Sequence, residues 1–267
     1  MARGLWSGTL AFGLVAVPVE LVSAVRDRDV HFHEVDAKTG QRVEVRRVCA
    51  GGDGAEVPWE QIGHGYELDG EQVVLSDEEL AAAAPERTRT IEVEEFVALD
   101  EIDPACFDHP YYLLPQGGTE GVTRAYRLLR DVMADEQQVA IGRIVMRSKE
   151  QLVAVRERDG LLALSTMLFA DELRDPADIP AVPSGRRSAP PRREVDQALK
   201  VIDQMTREFD PGRYEDCHRS RLLRLIRGKR RGGEVEIPEV EPEPEPVSDL
   251  MAALEASLGR TRSKAGR

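Results

Sequence analysis

A chain of 267 residues with 41% apolar side chains, 32% charged side chains and a formal net charge of −13 has room for one large domain or one domain with appendages. No run reaches the roughly 20 uninterrupted apolar residues that span a bilayer, so no segment reads as a membrane helix. Three scattered cysteines, Cys49, Cys106 and Cys217, are too few and too odd in number for a disulfide framework, and they point to a reducing compartment.

The acidic total hides an uneven distribution. Residues 51–108 carry 17 acidic and 2 basic side chains, residues 234–267 carry 8 and 4, and the remainder carries 24 and 30. Screening confines charge effects to roughly 10 Å, so one basic face can meet phosphates while another face is acidic. Composition alone assigns no nucleic-acid function.

The first two dozen residues admit two readings. Arg3, the apolar run Leu10 to Val19 and Val22-Ser23-Ala24 have the layout of a secretory signal peptide. Bulky apolar residues nevertheless fall on even positions from Trp6 to Leu14 and on odd positions from Val15 to Leu21. That is the period of two half-buried strands, with the phase switching beside Gly13. Pro18 and Glu20 spoil a helical apolar core. The segment therefore reads as two strands, with Trp6 and Phe12 in a core and Gly8 and Gly13 as bends.

Strands are expected to continue through residue 50, with a turn at Asp36-Ala37-Lys38-Thr39-Gly40. Within the acidic segment, Ser76 and Glu79 form a capping box that predicts a helix start, and Thr88 to Leu99 alternates as a strand. Pro115 to Gly118 is a loop, and Val122, Ala125, Tyr126, Leu129 and Val132 share one face of a helix. Val139 to Arg147 alternates as a strand, with Arg143 and Arg147 on one face. Asp159-Gly160 then predicts a tight hairpin between Leu152–Arg156 and Leu161–Leu168.

Residues 175–191 read as a linker. Val195, Ala198, Leu199, Ile202, Met205 and Phe209 form a helical stripe that Pro211-Gly212 breaks, and a basic helix follows from about Tyr214 to Arg231. Glu239 to Val247 alternates Glu with Pro and reads as an extended spacer. Beyond it, Val247, Leu250, Met251, Leu254 and Leu258 share a face of a short helix with no evident core to join. Such a face fits a groove in a partner, and a basic tail from Arg260 to Arg267 completes the chain.

No phosphate-cradling Gly-rich motif, nucleophile elbow or His-Glu-x-x-His is present. His31 and His33, with Glu34 and Asp36 nearby, make a partial metal cluster without a firm third ligand. A strand with half-buried histidines is the plainer reading. Basic clusters are the better candidates. Arg143, Arg147, Lys149, Arg156 and Arg158 crowd two adjacent strands whose common face suits a phosphate backbone. Arg42, Arg46 and Arg47 form a second basic edge, and Arg124, Arg127 and Arg130 mark the polar face of their helix. Arg219, Arg221, Arg224, Arg227, Lys229, Arg230 and Arg231 crowd the last long helix.

A series of short words runs in order through the chain. It begins with Trp6-Ser7-Gly8, Phe12-Gly13-Leu14-Val15 and Val17-Pro18-Val19, then Phe32-His33, Arg47-Val48-Cys49, Glu56-Val57-Pro58-Trp59 and Gly65-Tyr66-Glu67. Thr90-Ile91-Glu92, Ile102-Asp103-Pro104, Tyr111-Tyr112-Leu113 and Ala170-Asp171-Glu172-Leu173-Arg174 follow. No single word is specific, but the ordered set resembles the bacterial Ku family over about residues 2–230, with a weaker echo near 247–258.

The resemblance implies an α+β fold: a Ku-type seven-stranded β-barrel with a bridging extension and a C-terminal helical arm, closed by two copies into a homodimeric ring. It implies barrel and bridge over residues 1–175, linker and arm over 176–233, and spacer, docking helix and tail over 234–267. The expected function is binding of double-stranded DNA ends in non-homologous end joining, without sequence specificity, by threading of the ring. The ring would protect the end and recruit a LigD-type ATP-dependent DNA ligase. Neither catalytic residues nor a cofactor or metal is implied, and the setting is the cytoplasm beside the nucleoid.

The residues expected at DNA are Arg42, Arg46, Arg47, Arg143, Arg147, Lys149, Arg156, Arg158, Arg219, Arg224 and Arg227. Those expected at the ligase are Val247, Leu250, Met251, Leu254 and Leu258. The chain departs from the pattern in three places. Cys49 lacks the second thiol of the Cys-x-x-Cys that some relatives carry, a long lysine-rich tail is missing, and the basic run after Arg219 is unusually dense. Two other readings stand beside this one: a metal-dependent end-processing enzyme built on His31 and His33, and an interaction scaffold working through acidic residues 51–108.

Overall fold

In the computed structural model, residues 4–52, 54–85, 88–179 and 191–232 are described. The strands among them are β1 (Trp6–Phe12), β2 (Val15–Ser23), β3 (His64–Leu68), β4 (Glu71–Leu75), β5 (Thr90–Ala98), β6 (Phe107–Pro115), β7 (Gln138–Met146), β8 (Lys149–Arg158) and β9 (Leu161–Met167). The α-helices are α1 (Asp77–Ala83), α2 (Glu120–Asp135), α3 (Arg192–Met205) and α4 (Cys217–Arg230).

Seven strands close into a barrel in the order β1-β2-β6-β9-β8-β7-β5. Six of its seven seams are antiparallel. The seventh joins β1 to β5 in parallel, with Leu10 beside Ile91 and the Thr9 amide donating to the Arg89 carbonyl at 2.9 Å. Closure leaves no barrel strand with an unpaired edge.

Alternate residues point inward, as the strand period requires. Leu10, Val17, Val19, Leu21, Ile91, Leu113, Ile144, Val153, Val155, Leu162 and Leu164 are each at most 1% exposed and pack as one core. The opening segment is thus structural, as its alternation implies. Gly13 starts a two-residue turn at φ 57°, pairing Phe12 with Val15, and Leu14 at the tip is fully exposed at 105%. This corrects the placement of Leu14 on the inward row: the turn comes one residue before the phase change. Gly8 is a seat and not a bend. A Cβ there would strike the Trp6 indole and the Arg89 carbonyl, so only glycine lets the ring lie against β1.

Helix α2 lays Tyr126, Leu129 and Met133 on the barrel core. The Tyr126 hydroxyl donates to the Leu113 carbonyl at 2.7 Å and accepts from the Leu162 amide at 2.9 Å. Leu113 and Leu162 are the last pair of the β6–β9 ladder, so the hydroxyl occupies the point where that ladder ends. At the other end, the register shifts between Phe107 and Pro110. There the buried Thr166 hydroxyl accepts from the His109 amide and donates to Asp108 Oδ2, both at 3.0 Å. Strand β6 was not legible as a strand because Pro110 and this bulge interrupt its alternation.

Between β2 and β5 lies a long excursion in which no described residue is buried. The expectation of strands through residue 50 fails here. Between Ser23 and Trp59 the strand-type pairing among the described residues is limited to the isolated bridges Val35–Arg42 and Val48–Glu56, because no second layer covers the chain. The Asp36–Gly40 turn is present, with Asp36 Oδ1 accepting from the Lys38 amide at 2.9 Å and Oδ2 from the Thr39 hydroxyl at 2.7 Å. Those bonds, the Lys38 amide first, hold the Asp36 carboxyl below its usual pKa. The β3–β4 hairpin, within the acidic segment, was not anticipated. The Ser76–Glu79 capping box forms as expected at the start of α1.

The chain divides into two compact units, one of residues 1–28 with 33–178, the other of residues 29–32 with 179–267. In the second unit, α3 presents Val195, Leu199, Ile202 and Met205, which are 39–66% exposed. The helix ends at Met205, so Phe209 lies outside the stripe to which its spacing assigned it. It stacks instead on Tyr214, with ring centroids 6.0 Å apart. Asp216 caps α4 by accepting from the Arg219 amide at 2.9 Å.

Candidate nucleic-acid interface

The β7–β8 hairpin does not gather its five cations into one cluster. Its register pairs Arg143 with Leu152 and Met146 with Lys149, leaving Arg147 and Ser148 as the two-residue turn. Arg147 therefore sits at the tip, and not on the same strand face as Arg143, because the strand ends one residue early. Arg143 lies mid-strand, its Nε donating to Glu94 Oε1 and its Nη1 to Glu150 Oε1, each at 2.8 Å. These bonds, that from Glu150 first, raise its pKa above the ordinary arginine value.

Lys149 Nζ is 3.5 Å from Glu172 Oε1, and Arg158 Nε is 3.5 Å from Asp159 Oδ2. Arg156 is half-buried and lines a cavity of about 570 Å³ with Met133, Val139 and Glu157. Lys149 and Arg158 are the two ends of β8, which at about 3.4 Å per residue puts roughly 30 Å between them. One cation of the five, Arg143, is thus held by two carboxylates, and the other four divide between opposite ends of the hairpin.

The expected second edge is a loop and not a strand. Arg42 takes part in the bridge to Val35, and Arg46 Nη1 stands 3.8 Å from Glu56 Oε2. The Arg47 guanidinium lies 4.5 Å from the centre of the Trp59 ring, while its carbonyl accepts from the Val57 amide at 2.8 Å. That stacking ties the two sides of a turn carrying Cys49. On α2, Arg124 and Arg127 are exposed. Arg130 is tied to Asp131 and to the Gly160 carbonyl at 3.2 Å, which fastens the helix to the β8–β9 turn.

Helix α4 differs from all of these. Between Cys217 and Arg230 it has six arginines and lysines and no carboxylate. Arg224 and Arg227 are exposed and three residues apart, so they share a face. Arg219 is half-buried, and its Nε has no hydrogen-bond partner among the described residues. No ion pair within the described residues reaches Arg219, Arg224 or Arg227. A helix of one charge sign has nothing of its own to neutralise it and attracts polyanions. Charge density along residues 217–231 is what makes this helix a candidate, and that density is legible in the sequence.

The remaining candidates divide plainly. His31 and His33 lie in irregular chain and not on a strand, and no group of three His, Cys, Asp or Glu able to hold a metal exists among the described residues. Val247, Leu250, Met251, Leu254 and Leu258 fall outside the described residues.

Comparison with known proteins matches residues 11–197 to the Ku70/Ku80 beta-barrel domain. The Non-homologous end joining protein Ku of Anaeromyxobacter sp. (strain K) is 42% identical over 266 residues, covering 99% of this chain and 88% of that protein. The protein of the same name from Mycobacterium tuberculosis is 39% identical over 272 residues, covering 98% and 97%. That of Frankia casuarinae is 42% identical over 262 residues, covering 98% of this chain and 64% of its own length. With a closed seven-stranded barrel and kinship at about 40% identity along nearly its whole length, the chain belongs to the Ku β-barrel family.

Proposed function

We propose that this chain binds the ends of broken double-stranded DNA in bacterial non-homologous end joining, as a homodimeric ring. The observation that carries the DNA-binding part is α4, a helix with cations along its length and no carboxylate among them. Contacts of this kind go to phosphate and sugar, and they suit a protein that must accept any sequence. The exposed apolar row Val195, Leu199, Ile202 and Met205 supports pairing with a second copy, since an unburied stripe of that size seeks cover. A closed ring enters DNA only at an end, so mechanism follows from topology and asks for no catalytic residue. The apolar row Val247, Leu250, Met251, Leu254 and Leu258, read from the sequence spacing alone, is the proposed dock for a LigD-type ligase. The proposed setting is the cytoplasm beside the nucleoid. No helix among the described residues is long and apolar enough to cross a membrane.

The test is a gel shift on one plasmid, linearised or covalently closed, with mass by light scattering. Ring threading predicts retention of the linear form only, by a species of twice the chain mass. Equal binding of the closed circle would overturn the ring.

A further inference from the structure

One end of the barrel carries a cavity of about 300 Å³ lined by Trp6, Thr88, Arg89, Val145, Arg147 and Ser148. Its lining thus includes two arginines, a threonine, a serine and a tryptophan. Arg89 and Arg147 are exposed, and neither has a carboxylate partner among the described residues. In this they differ from Arg143, a few residues away along the same hairpin. The three elements meet because of the barrel's topology. The parallel β1–β5 seam puts Arg89 beside Gly8, and the β5–β7 pairing of Glu92 with Arg143 brings the Arg147–Ser148 turn level with the start of β5.

The turn itself points the same way. Among the described residues, three two-residue hairpin turns have both central residues at positive φ. Two of them are Asp-Gly, at Asp69-Gly70 (φ 52° and 84°) and Asp159-Gly160 (φ 52° and 83°). The third is Arg147-Ser148, at 52° and 64°. Asp-Gly is the cheap solution for this geometry, and arginine and serine are costly ones. Strained residues kept against a cheaper local alternative are characteristic of functional sites. Trp6 is held by a second special device, the Cβ-free seat at Gly8.

We infer that this cavity receives a terminal phosphorylated nucleotide, the arginines and hydroxyls holding the phosphate and the Trp6 indole lying against the base. A planar guanidinium beside hydroxyl donors is suited to phosphate oxygens. The indole argues for a terminal nucleotide and not an internal one, because a base inside a duplex is stacked on both faces and only an end leaves a face free. The inference rests on the DNA-end reading and adds to it a discrimination between 5′-phosphate and 5′-hydroxyl ends. The same chemistry describes a free nucleotide, and the experiment separates the two sources.

The full-length protein is titrated with blunt duplexes identical except for a 5′-phosphate or a 5′-hydroxyl. The phosphorylated duplex should bind about tenfold more tightly, the effect of one charge-assisted contact set. Arg89→Gln lies outside the turn and should abolish the preference while leaving 5′-hydroxyl binding unchanged; Arg147→Asn keeps a residue suited to the positive φ and should abolish the preference as well. In a Trp59→Phe background, the remaining Trp6 emission should respond to phosphorylated duplex and not to its hydroxyl counterpart. Equal affinity for the two duplexes overturns the inference while a linear-over-circular preference survives. Equal weakening of both duplexes by Arg89→Gln also overturns it, making that arginine an ordinary backbone contact. A Trp6 response to thymidine 5′-monophosphate without any duplex preference assigns the cavity to free nucleotides and overturns the DNA-end assignment. Loss of the linear-over-circular preference itself is the separate failure of the ring reading.

Discussion

The Tyr126 hydroxyl ties α2 to two strands of the barrel at once. It satisfies the Leu113 carbonyl and the Leu162 amide where their ladder ends, and Tyr126 itself is buried. Tyr126→Phe keeps the ring and strands both groups, and should cost about 1–3 kcal/mol by urea denaturation. Burial is also the main cause that pushes the phenol pKa above its ordinary value of 10.0. The sign follows from the protonated form being favoured in the fold. Its contribution is full below pH 10 and declines as pH rises through the unfolded value toward the higher folded one. Alkaline unfolding curves of wild type and Tyr126→Phe should therefore converge as pH rises above 10. Parallel curves would show that Tyr126 does not carry the linkage.

Single residues also explain why a uniform basic face was misjudged. Arg143 counts as a cation in sequence, yet Glu94 and Glu150 hold it, and one of those lies 49 residues away. No local pattern reveals a cross-strand partner at that separation. Helix α4 differs because its composition is local: Glu215 and Asp216 flank only its first turn, and no carboxylate lies between Cys217 and Arg230.

At the scale of elements, an Asp-Gly turn reveals a hairpin only where alternating apolar strands flank it: Asp159-Gly160 has them, whereas Asp69-Gly70 joins two mostly exposed strands, β3 and β4, and their hairpin is missed. The Asp159-Gly160 turn is legible directly, whereas the strand reading Val139 to Arg147 takes in the first turn residue, Arg147, because neither it nor Ser148 announces positive φ. Ser148→Gly should raise unfolding free energy by about 1 kcal/mol, since glycine adopts φ 64° without the cost borne by serine. A lower thermal midpoint in that variant would show that the turn is not strained. For α3, the helical stripe was correct through Met205 and failed at Phe209, where the chain leaves the helix ahead of Pro211. Ile202→Glu places a charge on the exposed apolar row. In the proposed homodimer it should shift sedimentation from twice the chain mass to the monomer at micromolar concentration, with the far-ultraviolet spectrum unchanged. A dimer that persists would remove α3 from the interface.

At the scale of the molecule, the total charge of −13 and the proposed affinity for DNA are compatible because the charges are segregated. The acidic excess lies in residues 51–108, while α4 has no acidic residue at all. Binding should lose about a thousandfold or more between 50 and 200 mM salt if six or more phosphates are neutralised. A shallow salt dependence would favour the scaffold reading, in which the acidic segment is the working surface.

Local information reached far into this protein. The period-two alternation of Leu10, Val17, Val19 and Leu21 determined which side chains face a core, and the capping box at Ser76 determined a helix start. The 3.6-residue period of Tyr126, Leu129 and their neighbours determined α2, and charge density determined the basic character of α4. Each of these depends on neighbours within about one turn or one strand. The tertiary structure decided the rest: the parallel β1–β5 seam that closes the barrel, the bulge that conceals β6, the pairing of Arg143 with Glu94, and the meeting of Trp6, Arg89 and Arg147 in one cavity. All of these are contacts between residues far apart in the chain. They exist only after loop closure has brought the strands into register, so no window of sequence contains them.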